Sequence, residues 1–188
     1  LRERHTNLAE DKVVMELLYK LADKLRHLME NKRDSIWAFI LKNIFKPVFL
    51  KEKFDFIVGN PPWLSYRYIQ QPEYQAFVKK LICEDYELLK GRGELITQME
   101  LATLFLLRAA DLYLKSGGEI GFVLTRAIYS GDQHHEFRQG RFRRPKLSIT
   151  EIWDLKNVTP LFKMPACVVF ARKGEKPQRP YPVEAKIF

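Results

Sequence analysis

From residue 10 to 30 the apolar side chains Val13, Val14, Leu17, Leu18, Leu21, Leu25, Leu28 and Met29 recur at helical spacing with charged residues between them. That period predicts a helix with one broad apolar stripe, which must bury a face. A second helix is predicted to start at Asp34, a capping residue, and to run through Ile36, Trp37, Phe39, Ile40, Ile44 and Phe45, ending before Pro47. Two scaffold helices packing on a sheet are expected here, with a partner-binding hairpin as the other reading. The pattern then changes. Phe54, Phe56, Ile57 and Val58 make an apolar run of strand character, expected to be buried, and Gly59 frees the backbone after it. Pro61 and Pro62 forbid continuation as helix or ladder, so residues 59–63 turn a corner at the carboxyl end of this strand.

Beyond the corner, Pro72 suits the first turn of a helix whose Tyr74, Phe77, Val78, Leu81 and Ile82 form an apolar face, closed by Lys90-Gly91-Arg92-Gly93. A helix over 99–115 and a strand over 119–125 follow, with Ser116-Gly117-Gly118 as helix stop and tight turn. A helix is expected to begin at Gln133, and strands at 149–155 and 166–172 complete the sheet as an antiparallel pair. Residues 173–180 read as a linker.

Composition narrows the class. With 46% apolar residues in 188, the chain can build a core of ordinary domain size. Its 32 basic against 23 acidic residues leave a net charge of +9, which suits an anionic partner such as nucleic acid without identifying one. Arg138, Arg141, Arg143, Arg144 and Lys146 form the densest basic cluster, readable as a phosphate contact or as a solvated loop. Cys83 and Cys167 lack metal-ligand spacing and read as buried thiols of a reducing cytoplasm. No apolar run approaches membrane-spanning length and no signal peptide is recognised, so no membrane role is expected. His134 and His135 point in different directions on a helix and have no third ligand nearby, so no metal site is expected.

The corner Asn60-Pro61-Pro62-Trp63 carries the chemistry. An exocyclic amine on an aromatic base is a poor nucleophile, because its lone pair is delocalised into the ring. A site that pulls the nitrogen towards tetrahedral geometry needs two acceptors, and the side-chain oxygen of Asn60 with the backbone carbonyl of Pro61 would supply them. The proline rings fix the backbone, and Trp63 offers a flat face on which a base can stack. Tyr66, Arg67 and Tyr68 directly follow. They read either as lining for an extruded base and a grip on its backbone, or as a surface loop with its aromatics folded inward.

Three further segments follow the corner in order: Glu100 to Leu106, Leu114-Lys115-Ser116-Gly117-Gly118 running into Glu119 to Thr125, and Pro160-Leu161-Phe162 running into Met164 to Phe170. Together they resemble the amino-methyltransferases that use S-adenosylmethionine, most closely the adenine-N6 DNA methyltransferases of restriction-modification systems, including fused methylase-restriction polypeptides. The resemblance covers about residues 51–173. It implies an α/β fold: the C-terminal half of a Rossmann-like methyltransferase sheet with flanking helices and a terminal antiparallel hairpin. It further implies double-stranded DNA as partner, a flipped adenine as substrate, Asn60, Pro61, Pro62 and Trp63 as catalytic residues, and Phe162 on the opposite face of the base. On this reading residues 1–50 are a helical segment, 51–173 the catalytic-corner half with an insertion at 64–98, and 174–188 a linker or added strand.

Two departures bear on the reading. Trp63 stands where the family more often has Tyr or Phe, which keeps the stacking face and loses the phenol hydroxyl. The family's glycine-rich cofactor turn and the acidic residue that follows it do not appear before residue 54, the first glycine being Gly59. The expectation is therefore a chain that carries the corner half, with the cofactor-binding half and a target-recognition domain supplied elsewhere. Methyltransferases acting on a protein glutamine or on RNA share the corner and remain open, as does a non-catalytic nucleic-acid-binding module.

Overall fold

The chain divides into two compact units, Leu1–Phe49 and Leu50–Phe188. The computed structural model describes residues 19, 20, 23, 26, 47–159, 161–174 and 183–188. In the first unit Tyr19, Lys20, Asp23 and Arg26 are helical and exposed, and Arg26 Nη2 donates to Asp23 Oδ1 at 3.1 Å. Residues 47–49 are also helical, so helical backbone includes Pro47. The rest of the apolar stripe and the helix expected from Asp34 to Phe45 lie outside the described residues.

The second unit is built on a five-stranded mixed sheet of order β1-β2-β4-β3-β5. Its strands are β1 (Phe54–Gly59), β2 (Leu114–Thr125), β3 (Leu147–Asp154), β4 (Ala166–Lys173) and β5 (Glu184–Ile187). β1 runs parallel to β2, and β3 parallel to β5. β4 lies antiparallel between β2 and β3, which gives the expected terminal hairpin. The carboxyl ends of β1, β2 and β3 therefore share one sheet edge with the amino end of β4. β5 is an added strand, and Phe188 beyond it packs its ring 5.5 Å from that of Trp153.

The helices are α1 (Pro72–Lys80), α2 (Leu101–Tyr113) and the single turns α3 (Ala127–Ser130) and α4 (His135–Arg138). Pro72 opens α1 in its first turn, where a missing N–H costs nothing. The chain then tightens into a π-turn over Leu81–Asp85 that ends at fully buried Tyr86. Val78, Leu81 and Ile82 are buried as expected, whereas Tyr74 and Phe77 on the same helix are exposed. Leu104, Leu106 and Leu107 of α2 join Ile120, Phe122 and Leu124 of β2 in one core cluster. Alternate residues of β2 supply that face, as the pleat requires.

Between α2 and the body of β2, the register with β1 jumps from Phe54↔Leu114 to Phe56↔Glu119. The residues looped out include Gly117, whose φ of 81° a side chain would strain, so the glycines still serve the turn the sequence assigned them.

β1 differs from expectation. It pairs only with β2, and Phe56 and Val58 are 71% and 84% exposed. An apolar run signals a strand covered on both faces, but here only the face carrying Ile57 meets the core. Among the described residues nothing covers the other face or pairs with the outer edge. The helix expected from Gln133 is also shorter: a 3-10 turn at Asp132–His134 followed by the single turn of α4.

Candidate active site

The β1–β2 ladder ends at the pair Gly59↔Phe122. Asn60 lies just beyond, exposed, with Pro61 buried behind it and Pro62 exposed. Among the described residues the Asn60 side chain makes no hydrogen bond. Half-buried Trp63 turns back over the sheet edge and donates its indole N–H to the carbonyl oxygen of Val123 at 3.1 Å. The prolines have no N–H to offer β2, and the indole supplies a donor one residue past the last ladder pair. Gly59 eases this approach, because a Cβ there would lie 3.0 Å from the Phe122 ring, which would have to shift.

Phe162 lies in the irregular segment between β3 and β4 and reaches the corner. Its ring meets that of Trp63 edge-on, with centroids 4.8 Å apart and planes inclined at 62°. The two aromatics are thus brought together, in direct contact with no slot between them. Leu161 and Met164 beside Phe162 are exposed.

The three residues after the corner separate. Tyr66 is buried in the core, and its backbone N–H bonds to Met99 O at 2.8 Å. This corrects its reading as a pocket residue and fits the other one, an aromatic folded inward. Arg67 and Tyr68 face outward as an exposed pair, the guanidinium 4.9 Å from the ring centroid.

The basic cluster lies elsewhere. Leu147, which follows it, pairs with Lys173, and Glu119 pairs with Arg172, so Arg143, Arg144 and Lys146 adjoin the sheet edge opposite the corner. From Glu119 to Thr125 alone spans about 20 Å at a rise of roughly 3.3 Å per residue. Arg138 is turned inward, donating to Ile128 O and Gly131 O at 2.9 and 2.8 Å. Arg143 donates to Glu84 O at 3.2 Å and lies 3.8 Å from Glu87. Arg144 lies 3.7 Å from both Asp85 and Asp111 and stacks over the Tyr86 ring. Arg141 reaches the side chain of Gln139 at 3.3 Å. Four of the five cations thus have protein partners: Arg143 and Arg144 lie at the far edge, and Arg138, bonded to the segment that follows β2, has its guanidinium engaged by backbone carbonyls.

The sequence reading named Glu100 as the start of the segment after the corner, but not the polar group it forms at the corner edge. Glu100, immediately before α2, accepts a hydrogen bond from the Thr125 hydroxyl at the end of β2. Behind it lies His134, fully buried, with Nε2 3.8 Å from Glu100 and Nδ1 3.2 Å from the Thr103 hydroxyl. Burial, and then the charge of Arg138, push the His134 pKa down to about 4, so the imidazole is neutral near pH 7 and its approach to Glu100 is no ion pair. Cys167 is buried in the same region, its thiol pushed up to about 11 chiefly by burial. On the outer side a cleft of about 460 Å³ is lined by Glu100, Thr125, Arg126, Ser130, Met164 and Pro165. Arg126 there is paired with Asp154 at 2.9 Å. No group of three or more His, Cys, Asp or Glu side chains among the described residues could hold a metal. No described helix is long and apolar enough to cross a membrane.

A cradle for S-adenosylmethionine calls for a glycine-rich turn from strand to helix. Among the described residues β2 is the strand that leads directly into a helix, and its turn carries Arg126 instead of a glycine. The described residues do not supply that turn and so do not by themselves fit the cofactor.

A family model described as Eco57I restriction-modification methylase matches residues 4–162. Among curated proteins none matches the chain. Among solved structures, a putative class I S-adenosylmethionine-dependent methyltransferase from Listeria monocytogenes is 15% identical, with a TM-score of 0.47, over 71% of this chain and 36% of its own. The ATP-dependent Type ISP restriction-modification enzyme LlaBIII, bound to DNA, is 16% identical with a TM-score of 0.42, over 70% of this chain and 10% of its own. The Type IIL restriction-modification enzyme MmeI, in complex with DNA, is 17% identical with a TM-score of 0.38, over 71% of this chain and 17% of its own. The chain therefore spans about a third or less of the length of these structures.

Proposed function

The chain belongs to the Eco57I restriction-modification methylase family, and from that premise we propose that it forms the acceptor side of a DNA methyltransferase that modifies the N6 amino group of a flipped adenine. The observation that carries this reading is the corner: an exposed Asn60 without a partner among the described residues, set at a sheet edge beside an indole that is held in place. Asn60 Oδ1 and the Pro61 carbonyl each accept one amino hydrogen and turn the nitrogen lone pair outward. Trp63 supports the base by stacking. S-adenosylmethionine, when bound, supplies an electrophilic methyl group. The chain's own residues hold the amine, orient it and keep one face of the base out of water.

On this reading Arg67 and Tyr68, an exposed pair directly after the corner in sequence, touch the displaced nucleotide; their exposure supports it. Because the described residues contain no cofactor cradle, the isolated chain binds S-adenosylmethionine weakly and transfers no methyl. The test is methyl incorporation by the complete enzyme, offered DNA, RNA and protein together. Label recovered as N6-methyladenine in DNA supports the reading, whereas label confined to a protein glutamine or to RNA overturns it.

A further inference from the structure

We infer that Glu100 is the positioning residue that sets the tilt of the Trp63 ring, acting through Thr125 and the end of β2. The inference rests on the reading of Trp63 as the stacking plate for a base.

Four links make a closed circuit around the corner. Trp63 Nε1 donates to Val123 O at 3.1 Å. Two residues further along β2, Thr125 donates its hydroxyl to Glu100 Oε2. Glu100 forms an antiparallel bridge with Ser65, and the next residue, Leu101, donates its N–H to Leu64 O at 2.8 Å. Leu64 is covalently joined to Trp63. The indole is therefore held at its nitrogen by β2 and at its backbone by the start of α2, and the Glu100–Thr125 bond fixes those two supports relative to each other.

Glu100 is spent on this link. It occupies the capping position of α2, yet its side chain caps nothing there. Its carboxylate is instead bonded across to the end of β2. His134 closes off the back of the carboxylate. Its Nε2, buried and without a hydrogen-bond partner, lies 3.8 Å from Glu100 Oε2.

A single-tryptophan chain, with Trp37→Phe and Trp153→Phe, lets Trp63 report directly. The probes are its emission and acrylamide quenching, and the affinity of the 188-residue chain for a single-stranded oligonucleotide carrying one 2-aminopurine. Glu100→Ala and Thr125→Val are each expected to shift the emission to the red, raise quenching and weaken probe binding roughly tenfold. Their combination is expected to do little more than either alone, since they break one bond. Glu100→Gln, whose amide oxygen still accepts from Thr125, is expected to restore most of the signal. Leu107→Ala, buried but outside the circuit, serves as a destabilising control that leaves the Trp63 emission in place.

The inference is overturned if Thr125→Val and Glu100→Ala leave emission and probe affinity as they were, if Leu107→Ala shifts them equally, or if Glu100→Gln fails to rescue. Should Glu100→Ala not fold, Thr125→Val and Glu100→Gln decide alone. The emission arm involves no methyl transfer, so a wrong substrate assignment would not move it.

Discussion

The indole N–H of Trp63 and the carbonyl oxygen of Val123, 3.1 Å apart, continue by side chain a ladder that two prolines end by backbone. The bond ties the corner to β2 where β1 can no longer do so. Trp63→Phe keeps a flat apolar ring and loses the donor. It is expected to lower the unfolding free energy by about 1–2 kcal/mol, read as a shift in the urea midpoint at constant slope. An unchanged midpoint would mean that Val123 finds water at no cost and that the indole is held by packing alone.

Asn60 is the converse case, exposed and without a partner among the described residues. Asn60→Ala is expected to leave unfolding within about 0.5 kcal/mol of the parent. In the complete enzyme the same change is expected to lower methyl transfer roughly 100-fold or more while DNA binding persists, because it removes an acceptor aimed at the reacting amine. Equal losses of DNA affinity and transfer would show that Asn60 binds and does not orient.

His134 gives a pH signature. Its pKa falls from 6.5 to about 4 on folding. Between those values the unfolded chain takes up a proton that the folded chain refuses, so stability is fully present above pH 6.5 and is lost as pH falls towards 4. The loss attributable to this residue is about 3 kcal/mol as an order of magnitude. His134→Gln is expected to flatten the stability profile over that window, whatever it does to stability at pH 7. A profile of unchanged slope in the variant would assign the acid sensitivity to other groups.

The sequence disclosed the corner because consecutive prolines after a strand restrict the backbone wherever they occur, and it disclosed the sheet through apolar runs at Ile120–Leu124 and Ala166–Phe170. It misled at Phe56 and Val58, where an apolar strand reads alike whether both faces are covered or only one. The Glu100–Thr125–His134 group was not legible: its members are 9 to 34 positions apart and lie on three different elements, and threonine or histidine alone announces no partner. Tyr66 and Arg138 each carried two readings, and the structure turns both inward: Tyr66 into the core, and Arg138 onto the carbonyl oxygens of Ile128 and Gly131.

Arg143 and Arg144 follow from the same logic. Each is engaged with protein acceptors at the far edge of the sheet. Alanine at either position is expected to cost no more than about 1 kcal/mol of stability, as befits half-exposed pairs. The dependence of DNA affinity on salt is expected to stay unchanged, since no released counterion is assigned to them. A shallower salt slope in the double variant would return them to the DNA interface.

Phe162 makes the sharpest kinetic prediction. A base held between two rings needs their planes about 7 Å apart, two contact distances of roughly 3.5 Å, and the centroids of Trp63 and Phe162 are 4.8 Å apart and edge-on. One ring must yield. Trp63 is bonded to β2, whereas Phe162 is 42% exposed on an irregular segment, so Phe162 is the one that moves. Phe162→Ala is expected to speed association of a 2-aminopurine oligonucleotide, because the plate is already bare, and to speed dissociation more, because the second face is gone. The net loss in affinity is expected to be about tenfold, within the 1–3 kcal/mol that one aromatic stack is worth. Stopped-flow fluorescence separates the two rates. A slower association in the variant would mean that Phe162 guides the base in and does not stand in its place.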